Sequence, residues 1–216
     1  MTREINAAAL DLIARSEGFV DHWYPDPAHG WKVPTCCFGH TDAAGEPKYA
    51  ATKAKKFTRA EGLEILRRDV SGYAKAVENA VKVPLNDNQF GALVSFCYNV
   101  GPGNFRSSSV LERVNAKRFE DVPLRLMLWN KAGGKPLVGL TKRRANEGAL
   151  FKSGSVSTAP KPLKPPQVDD LIRETMAEKK PAPATTSKKE AVREPAKGAS
   201  FWAQLIAAIL RYFSKG

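Results

Sequence analysis

Apolar residues near the amino terminus recur at the spacing that places side chains on one face of an α-helix. The repeating positions are Ile5, Ala9, Leu10, Ile13 and Ala14. Gly18 follows this run, and glycine commonly ends a helix because it tolerates a positive φ. The pattern therefore predicts a first helix over residues 4–17.

Residues 18–50 do not continue this helical periodicity. They are rich in glycine, proline, aspartate and aromatic residues, and they contain short extended pieces such as "TCCFGHT" at 35–41. Short extended pieces bounded by turn residues are typical of β-hairpins. We therefore predict a small, irregular β-hairpin region here.

Helical spacing returns further along the chain. Thr58 with Glu61, and Asn86 with Gln89, both resemble capping boxes that begin a helix. The first of these helices should run to about Val81. Further helices are predicted around residues 107–117, 119–129 and 141–152. The fold class predicted for residues 1–154 is α+β, mostly helical with a small β-hairpin region near its amino terminus.

The composition changes after Gly154. Residues 155–199 are dominated by proline, lysine, alanine, serine and threonine, which bury too little apolar surface to offset the entropy of ordering. We predict a disordered linker there. Residues 200–216 follow with an amphipathic helical pattern that is too short to cross a bilayer, which takes about 20 residues. A helix of this kind could lie in the interface of an anionic membrane. Alternatively, it could dock on residues 1–154 of the same chain or on a second copy of the chain.

The chain is basic, with 34 lysines and arginines against 22 aspartates and glutamates, a net charge of +12. A basic molecule is attracted to polyanions such as nucleic acid, anionic membrane or bacterial wall polymer. Composition does not choose among these partners. No nucleic-acid-binding motif accompanies the charge, so we expect no specific nucleic acid partner.

Cysteine and histidine patterns give no support to a metal site or a disulfide framework. Cys36, Cys37 and Cys97 are odd in number, and two of them are adjacent. We expect them to be buried as small hydrophobic residues in a reducing compartment, with a redox role as the alternative. His29 and His40 lack a third ligand at a suitable spacing. No metal or cofactor is expected, and we predict a structural hydrogen-bonding role for His40.

The amino-terminal stretch "MTREINAAALDLIARSEG" contains no apolar run long enough for a signal peptide or a membrane anchor. We therefore expect the protein to be made in the cytoplasm.

Three residues between the first helix and the hairpin region are candidates for chemistry. Glu17 should lie at the negative end of the first helix, which raises the pKa of a carboxyl group and favours an acid that can donate a proton. Asp26 lies in a polar turn that should keep it ionised, and the Thr35 hydroxyl can hold a water molecule. Two carboxylates in unlike environments suit glycoside hydrolysis, although the same residues are common in purely structural roles.

The residues around these positions resemble a known family. The segment "SEGF…YPD…PTCCFGHT" is similar to the active-site segment of phage-type lysozymes, the endolysins of glycoside hydrolase family 24. The resemblance continues through "NQFGALVSFCYNVGPGNFRSSSVLERVN" and "LWNKAGGKPLVGLTKRRANEGALFKSG", in the same order. It covers roughly residues 5–154 and implies a lysozyme-like fold and catalytic domain.

The resemblance also implies roles for individual residues. Glu17 would be the general acid, Asp26 the second carboxylate, and Thr35 the group that positions the attacking water, with inversion at the anomeric carbon. Arg143 would help to hold the glutamate and bind substrate, and Phe105 would line the cleft. Eight residues separate Asp26 from Thr35, where the family usually has five.

That difference makes the placement of Asp26 depend on the longer loop, and it leaves Asp21 as a fallback carboxylate. The implied substrate is the β-1,4 bond between N-acetylmuramic acid and N-acetylglucosamine in peptidoglycan. The implied setting is host lysis, with release from the host cytoplasm to the periplasmic wall after permeabilisation by a holin. We expect a monomer.

Two alternatives remain open on the sequence. A lytic transglycosylase would cleave the same bond without water, and would need no water-positioning threonine. A membrane-active or wall-binding basic protein would rely on residues 200–216 instead of the candidate catalytic residues.

Overall fold

The computed structural model describes residues 3–26 and 29–153. The predicted linker at 155–199 and the predicted helix at 200–216 lie outside the described residues. The helices are α1 (Ala7–Glu17), α2 (Tyr49–Thr52), α3 (Arg59–Ala80), α4 (Asp87–Val100), α5 (Pro102–Arg106), α6 (Ser109–Asn115), α7 (Val122–Met127) and α8 (Val138–Lys152). The strands are β1 (Val20–Asp26), β2 (Gly30–Cys37), β3 (His40–Thr41), β4 (Lys131–Ala132) and β5 (Lys135–Pro136). The α+β prediction is confirmed.

The first helix begins and ends where local chemistry allows it. Asn6 caps α1 by accepting a hydrogen bond from the backbone N–H of Ala9 at 3.0 Å. Gly18 ends the helix with a φ of +75°, a conformation that residues with a Cβ rarely adopt. The helix therefore begins at Ala7, later than predicted, and ends at Glu17 as predicted. This boundary places the Glu17 side chain on the last helical turn.

The predicted hairpin region is a three-stranded antiparallel sheet in the order β1-β2-β3. Tyr24 lies opposite Thr35, and Thr35 also lies opposite Thr41 on its other side. The pairing of β1 with β2 is irregular where Pro25 pairs with Pro34 but Asp26 pairs with Gly30. Irregular pairing of this kind locally bends a strand and redirects its side chains.

The helical core is built around α4. Both capping boxes predicted from the sequence are present, at Thr58 with Glu61 and at Asn86 with Gln89. Almost every residue of α4 is buried, because α1, α3 and α8 all pack against it. Its apolar stripe predicted one buried face, and the surrounding helices bury the remaining faces as well.

Several short elements escaped the sequence prediction. Helices α2 and α5 and the β4–β5 pair are each five residues or shorter, below the length at which periodicity is informative. The helix predicted at 119–129 is a 3₁₀ turn at Phe119–Asp121 followed by α7.

The three cysteines are free and buried, as predicted. Among the described residues, none of the helices is both long enough and apolar enough to cross a membrane.

Candidate active site

Glu17 is held at the end of α1 with its carboxyl group facing inward. The side chain is fully buried, and Oε1 accepts a hydrogen bond from Nη1 of Arg143 at 2.7 Å. The second oxygen, Oε2, is also buried and has no hydrogen-bond partner within residues 3–26 and 29–153. One carboxyl oxygen is therefore anchored, and the other is available to carry a proton.

Arg143 reaches Glu17 from α8 and binds two further acceptors. Its Nε donates to Oε1 of Glu147 at 3.2 Å, and its Nη2 donates to the carbonyl oxygen of Ser95 at 3.2 Å. The residue is 4% exposed. The guanidinium group is thus divided among three partners on α1, α4 and α8, which fixes its position relative to Glu17.

Arg144 and Glu147 complete a buried cluster of four charged groups. Arg144 donates from Nη2 to Oδ1 of Asn99 at 2.8 Å, and its Nε lies 2.9 Å from Oε2 of Glu147. Ser95 donates from Oγ to Oε1 of Glu147 at 2.7 Å. Glu147 is not among the candidate residues predicted from the sequence. Its spacing of four residues from Arg143 and three from Arg144 is the helical signal that could have found it.

Burial raises the pKa of Glu17 above its ordinary value, although the charge and hydrogen bond of Arg143 act in the opposite direction. The predicted direction is confirmed, but the cause is different. The sequence suggested the dipole of α1, whereas the structure shows that loss of solvent around the carboxyl group has the largest effect.

Asp26 lies at the end of β1, where the pairing with β2 becomes irregular. It is 3% exposed, so the prediction of a polar turn open to solvent at this carboxyl group is wrong. Oδ1 accepts a hydrogen bond from the backbone N–H of His29 at 2.8 Å and lies 2.9 Å from Nδ1 of the same residue. His29, which the sequence analysis left without a role, therefore holds the second carboxylate by both its backbone and its ring.

Thr35 lies on β2, directly opposite Tyr24 of β1. Residues directly opposite each other in an antiparallel pair project from the same face of the sheet. Oγ1 of Thr35 donates to the carbonyl oxygen of Val33 at 3.1 Å. Because its proton is used in that bond, the hydroxyl offers lone pairs to a further donor.

Tyr24 links the two carboxylates electrostatically. Burial, together with the negative charges of Glu17 and Asp26, raises the pKa of its phenol to about 12. Both carboxylates therefore lie close enough to act on one hydroxyl group, which stays protonated at neutral pH. Tyr24 belongs to the "YPD" segment that ends at Asp26, and the fold makes it a member of the site.

Two other predicted positions are not part of an open binding surface. Phe105 is fully buried and packs edge-to-face with Phe96, with ring centroids 6.2 Å apart. The prediction that it lines the cleft is therefore wrong, because α5 turns the ring into the core. Asp21 lies on the surface with His22 at 2.7 Å and Lys56 at 3.6 Å. It is not needed as a fallback for Asp26.

His40 has the structural role predicted for it. The ring is buried, with Nδ1 at 2.9 Å from Oδ2 of Asp69 and Nε2 at 3.0 Å from the carbonyl oxygen of Pro47. These contacts join β3 to α3 and to the segment that precedes α2.

The site coincides neither with a metal cluster among the described residues nor with a surface cavity formed mainly by α3. The described part of the chain holds no group of three or more histidine, cysteine, aspartate or glutamate side chains placed to bind a metal ion. A surface cavity of about 680 Å³ is lined mainly by α3, with Leu10 of α1 and residues from the segments before α2 and α3, and it includes none of Glu17, Asp26 and Thr35.

The chain is similar to phage endolysins in sequence and in fold. The phage lysozyme family model matches residues 14–147. The endolysin of Bacillus phage PZA is 41% identical over 155 residues, which cover 70% of this chain and 56% of that protein. The chain thus spans about half the length of that relative. The endolysin of Salmonella phage P22 is 33% identical over 150 residues, covering 69% of this chain and 99% of that protein.

A solved structure gives the same result. The muramidase domain of SpmX from Asticaccaulis excentricus superposes with a TM-score of 0.61 at 32% identity, covering 70% of this chain and 99% of that domain. The family model covers well over half of the chain and includes Glu17, Asp26, Thr35 and Arg143. On the sequence, the fold and the buried carboxyl site together, the chain belongs to the phage lysozyme family.

Proposed function

We propose that this protein is an endolysin that hydrolyses the β-1,4 bonds between N-acetylmuramic acid and N-acetylglucosamine in peptidoglycan. The observation that carries the proposal is the buried carboxyl group of Glu17, which is anchored at Oε1 by Arg143 and has no hydrogen-bond partner at Oε2 among the described residues. Its environment favours the protonated form, which is the form that a general acid requires.

Glu17 acts as the acid in this mechanism. Its proton is carried on Oε2, because Oε1 accepts the hydrogen bond from Arg143. Donation of that proton to the glycosidic oxygen lets the leaving sugar depart as a neutral alcohol. Proton transfer of this kind contributes about 10²–10⁴-fold to the rate.

Asp26 and Thr35 supply the attacking water. The Thr35 hydroxyl donates to Val33 and so accepts one hydrogen from the water, while the Asp26 carboxylate accepts the other. This arrangement leaves a lone pair of the water free to attack the anomeric carbon from the face opposite the leaving group. The product then has the inverted configuration, and the positive charge that develops on the ring is stabilised by Asp26.

Substrate entry requires a local opening of the site. The carboxyl group of Glu17 is covered in the present conformation, so a glycan reaches Oε2 only after a local opening of the site. Arg143 stays attached to α8 during such a movement and keeps its contact with the end of α1. Its proposed role is to hold the acid instead of binding sugar directly.

The rest of the chain fits the same activity. The net charge of +12 favours approach to an anionic wall polymer. In this proposal residues 1–154 form the catalytic domain, residues 155–199 a linker, and residues 200–216 a helix that contacts anionic membrane. The protein acts as a monomer, is made in the host cytoplasm and reaches the periplasmic wall after a holin permeabilises the inner membrane.

Mass spectrometry of digested peptidoglycan tests the proposal. Hydrolysis releases muropeptides with a reducing N-acetylmuramic acid end, and each cleaved bond adds the mass of one water to its two fragments together. A transglycosylase would release 1,6-anhydro ends instead, which would replace the proposed reaction. Free N-acetylglucosamine reducing ends would show that a different bond is cut. If the peptidoglycan were unchanged, the proposal that this protein cleaves it would be refuted.

A further inference from the structure

Glu147 is a buried carboxylate that no step of the proposed reaction uses. Its side chain is fully buried on α8, and it receives Nε of Arg143 at 3.2 Å, Nη2 of Arg144 at 3.1 Å and Oγ of Ser95 at 2.7 Å. A carboxylate removed from water at large desolvation cost requires such partners. The arrangement indicates a role that depends on charge, since an apolar side chain would fill the same space without that cost.

The cluster has two possible charge states. Arg143 and Arg144 supply two positive charges, and Glu147 supplies one negative charge, so the cluster without Glu17 carries one net positive charge. An ionised Glu17 brings the total to zero. If Glu147 were neutral, Glu17 would face two uncompensated guanidinium groups. Opposite charges at close range strongly favour the ionised form of a carboxyl group, and an ionised Glu17 cannot act as an acid.

Geometry points in the same direction as charge. Because Glu147 occupies Nε of Arg143 and the Ser95 carbonyl occupies Nη2, the guanidinium presents Nη1 alone to Glu17. A two-pronged pair between Arg143 and Glu17 would use both carboxyl oxygens and stabilise the carboxylate. The observed single contact leaves Oε2 available.

We propose that Glu147 is a positioning residue that keeps Glu17 able to hold a proton, by dividing Arg143 between two carboxylates and by offsetting the charge of Arg144. This inference rests on the proposed role of Glu17 as the acid. Glu147 touches no substrate in this account, since it acts through Arg143.

The other groups around Glu17 do not titrate in the relevant range. Besides the α8 cluster, Glu17 acts on Tyr24 of β1, Tyr73 of α3 and Tyr98 of α4. Burial raises the pKa of each of these phenols, so all three stay neutral up to strongly alkaline pH. Asp26 also faces Tyr24 from β1. The alkaline limb therefore reports Glu17 under the control of the α8 charges.

The test compares wild type with three variants, namely Glu147→Gln, Arg144→Gln and the double variant. The control is Glu78→Gln, which makes the same charge change as Glu147→Gln at an exposed position. In Glu147→Gln the alkaline limb of the lytic pH profile should move to lower pH by about one unit. In Arg144→Gln it should move to higher pH by a similar amount. The double variant should return close to wild type, as should Glu78→Gln, and the acid limb should stay in place throughout.

A second measurement is independent of lysis. The carboxyl carbon of Glu17, identified by its absence from Glu17→Gln, is titrated by ¹³C NMR in each folded variant. Shifts of opposite sign in the two single variants support the inference. Absent shifts or shifts of equal sign would overturn it, as would equal displacement of both limbs of the profile.

Folding failure does not remove the test. The double variant loses one charge of each sign and therefore leaves no excess buried charge. If only the double variant folds, a Glu17 pKa displaced by a full unit in it overturns the charge-balance account, and a value near wild type supports it. If the NMR shifts appear while lysis does not follow them, the charge effect stands and the proposed catalytic role of Glu17 fails.

Discussion

Arg143 donates a hydrogen bond of 2.7 Å to Glu17 across 126 positions of sequence. One residue ends the first helix of the domain, and the other lies on its last helix. The contact therefore forms only when α1 and α8 have both packed against α4. The environment of Glu17, the proposed acid, thus depends on the packing of the first and last helices of the domain.

Replacement of Glu17 by glutamine should reduce lytic activity by at least about 10²–10⁴-fold, because the amide cannot donate the required proton. The fold should remain intact, since glutamine keeps an oxygen that can accept from Arg143. Loss of turbidity of permeabilised Gram-negative cells measures activity, and circular dichroism checks folding. Near-full lysis by this variant would refute the role of Glu17.

Asp26→Asn should also abolish most of the activity, because the neutral amide can neither accept the proton of the attacking water nor stabilise positive charge on the sugar. The matched control is Asp21→Asn, which removes an exposed carboxylate five residues earlier. We expect the control to retain wild-type lysis. If Asp26→Asn and Asp21→Asn lost the same amount of activity, the proposed catalytic role of Asp26 would be contradicted.

The buried pair of His40 and Asp69 should make stability depend on pH. Burial lowers the pKa of His40, but the hydrogen bond and charge of Asp69 exceed this effect and leave the pKa raised above 6.5. A raised pKa contributes stability that is fully present below the unfolded value and is lost as pH rises through the folded value. The free energy of unfolding should therefore fall as pH rises above about 6.5.

Urea unfolding between pH 6 and pH 9 measures this dependence. His40→Gln should have a lower free energy of unfolding at pH 6 and a flatter dependence on pH. The control His22→Gln changes an exposed ring paired with Asp21 and should alter stability by less than about 1 kcal/mol. A slope in His40→Gln equal to that of wild type would assign the pH dependence to other groups.

Gly91→Ala should destabilise the protein by about 1–3 kcal/mol, because a Cβ at this position would collide with the methyl group of Ala9. The added methyl group forces α1 away from α4, so lytic activity should fall as well. Gly72→Ala on α3 is the control, since nothing lies within 4 Å of its added Cβ. We expect that change to stabilise the helix by roughly 0.5–1 kcal/mol. Equal urea midpoints for both variants would contradict the close approach of the helices.

Deletion of residues 200–216 tests the predicted membrane contact. Co-sedimentation with anionic liposomes should decrease strongly, because the segment combines aromatic residues with basic ones. Hydrolysis of purified peptidoglycan should be unchanged, since Glu17, Asp26 and Thr35 remain. Full retention of liposome binding by the shortened chain would assign binding to the basic surface of residues 1–154.

Features that depend on neighbouring residues were predictable from the sequence. The end of α1 at Glu17, the two capping boxes and the hairpin around Thr35 all follow from short-range spacing and backbone preferences. The family resemblance selected Glu17, Asp26, Thr35 and Arg143 within the stretch that the phage lysozyme model covers. In each case the signal lies within a few residues or within a motif.

Features that depend on packing were decided by the tertiary structure. Burial of Glu17 and the fully buried ring of Phe105 each require packing between elements that lie far apart in the sequence. The sequence alone named the two carboxylates. How completely Glu17 loses solvent, and which arginine then meets it, depends on how α1, α4 and α8 meet, because desolvation and ion pairing are properties of the assembled core.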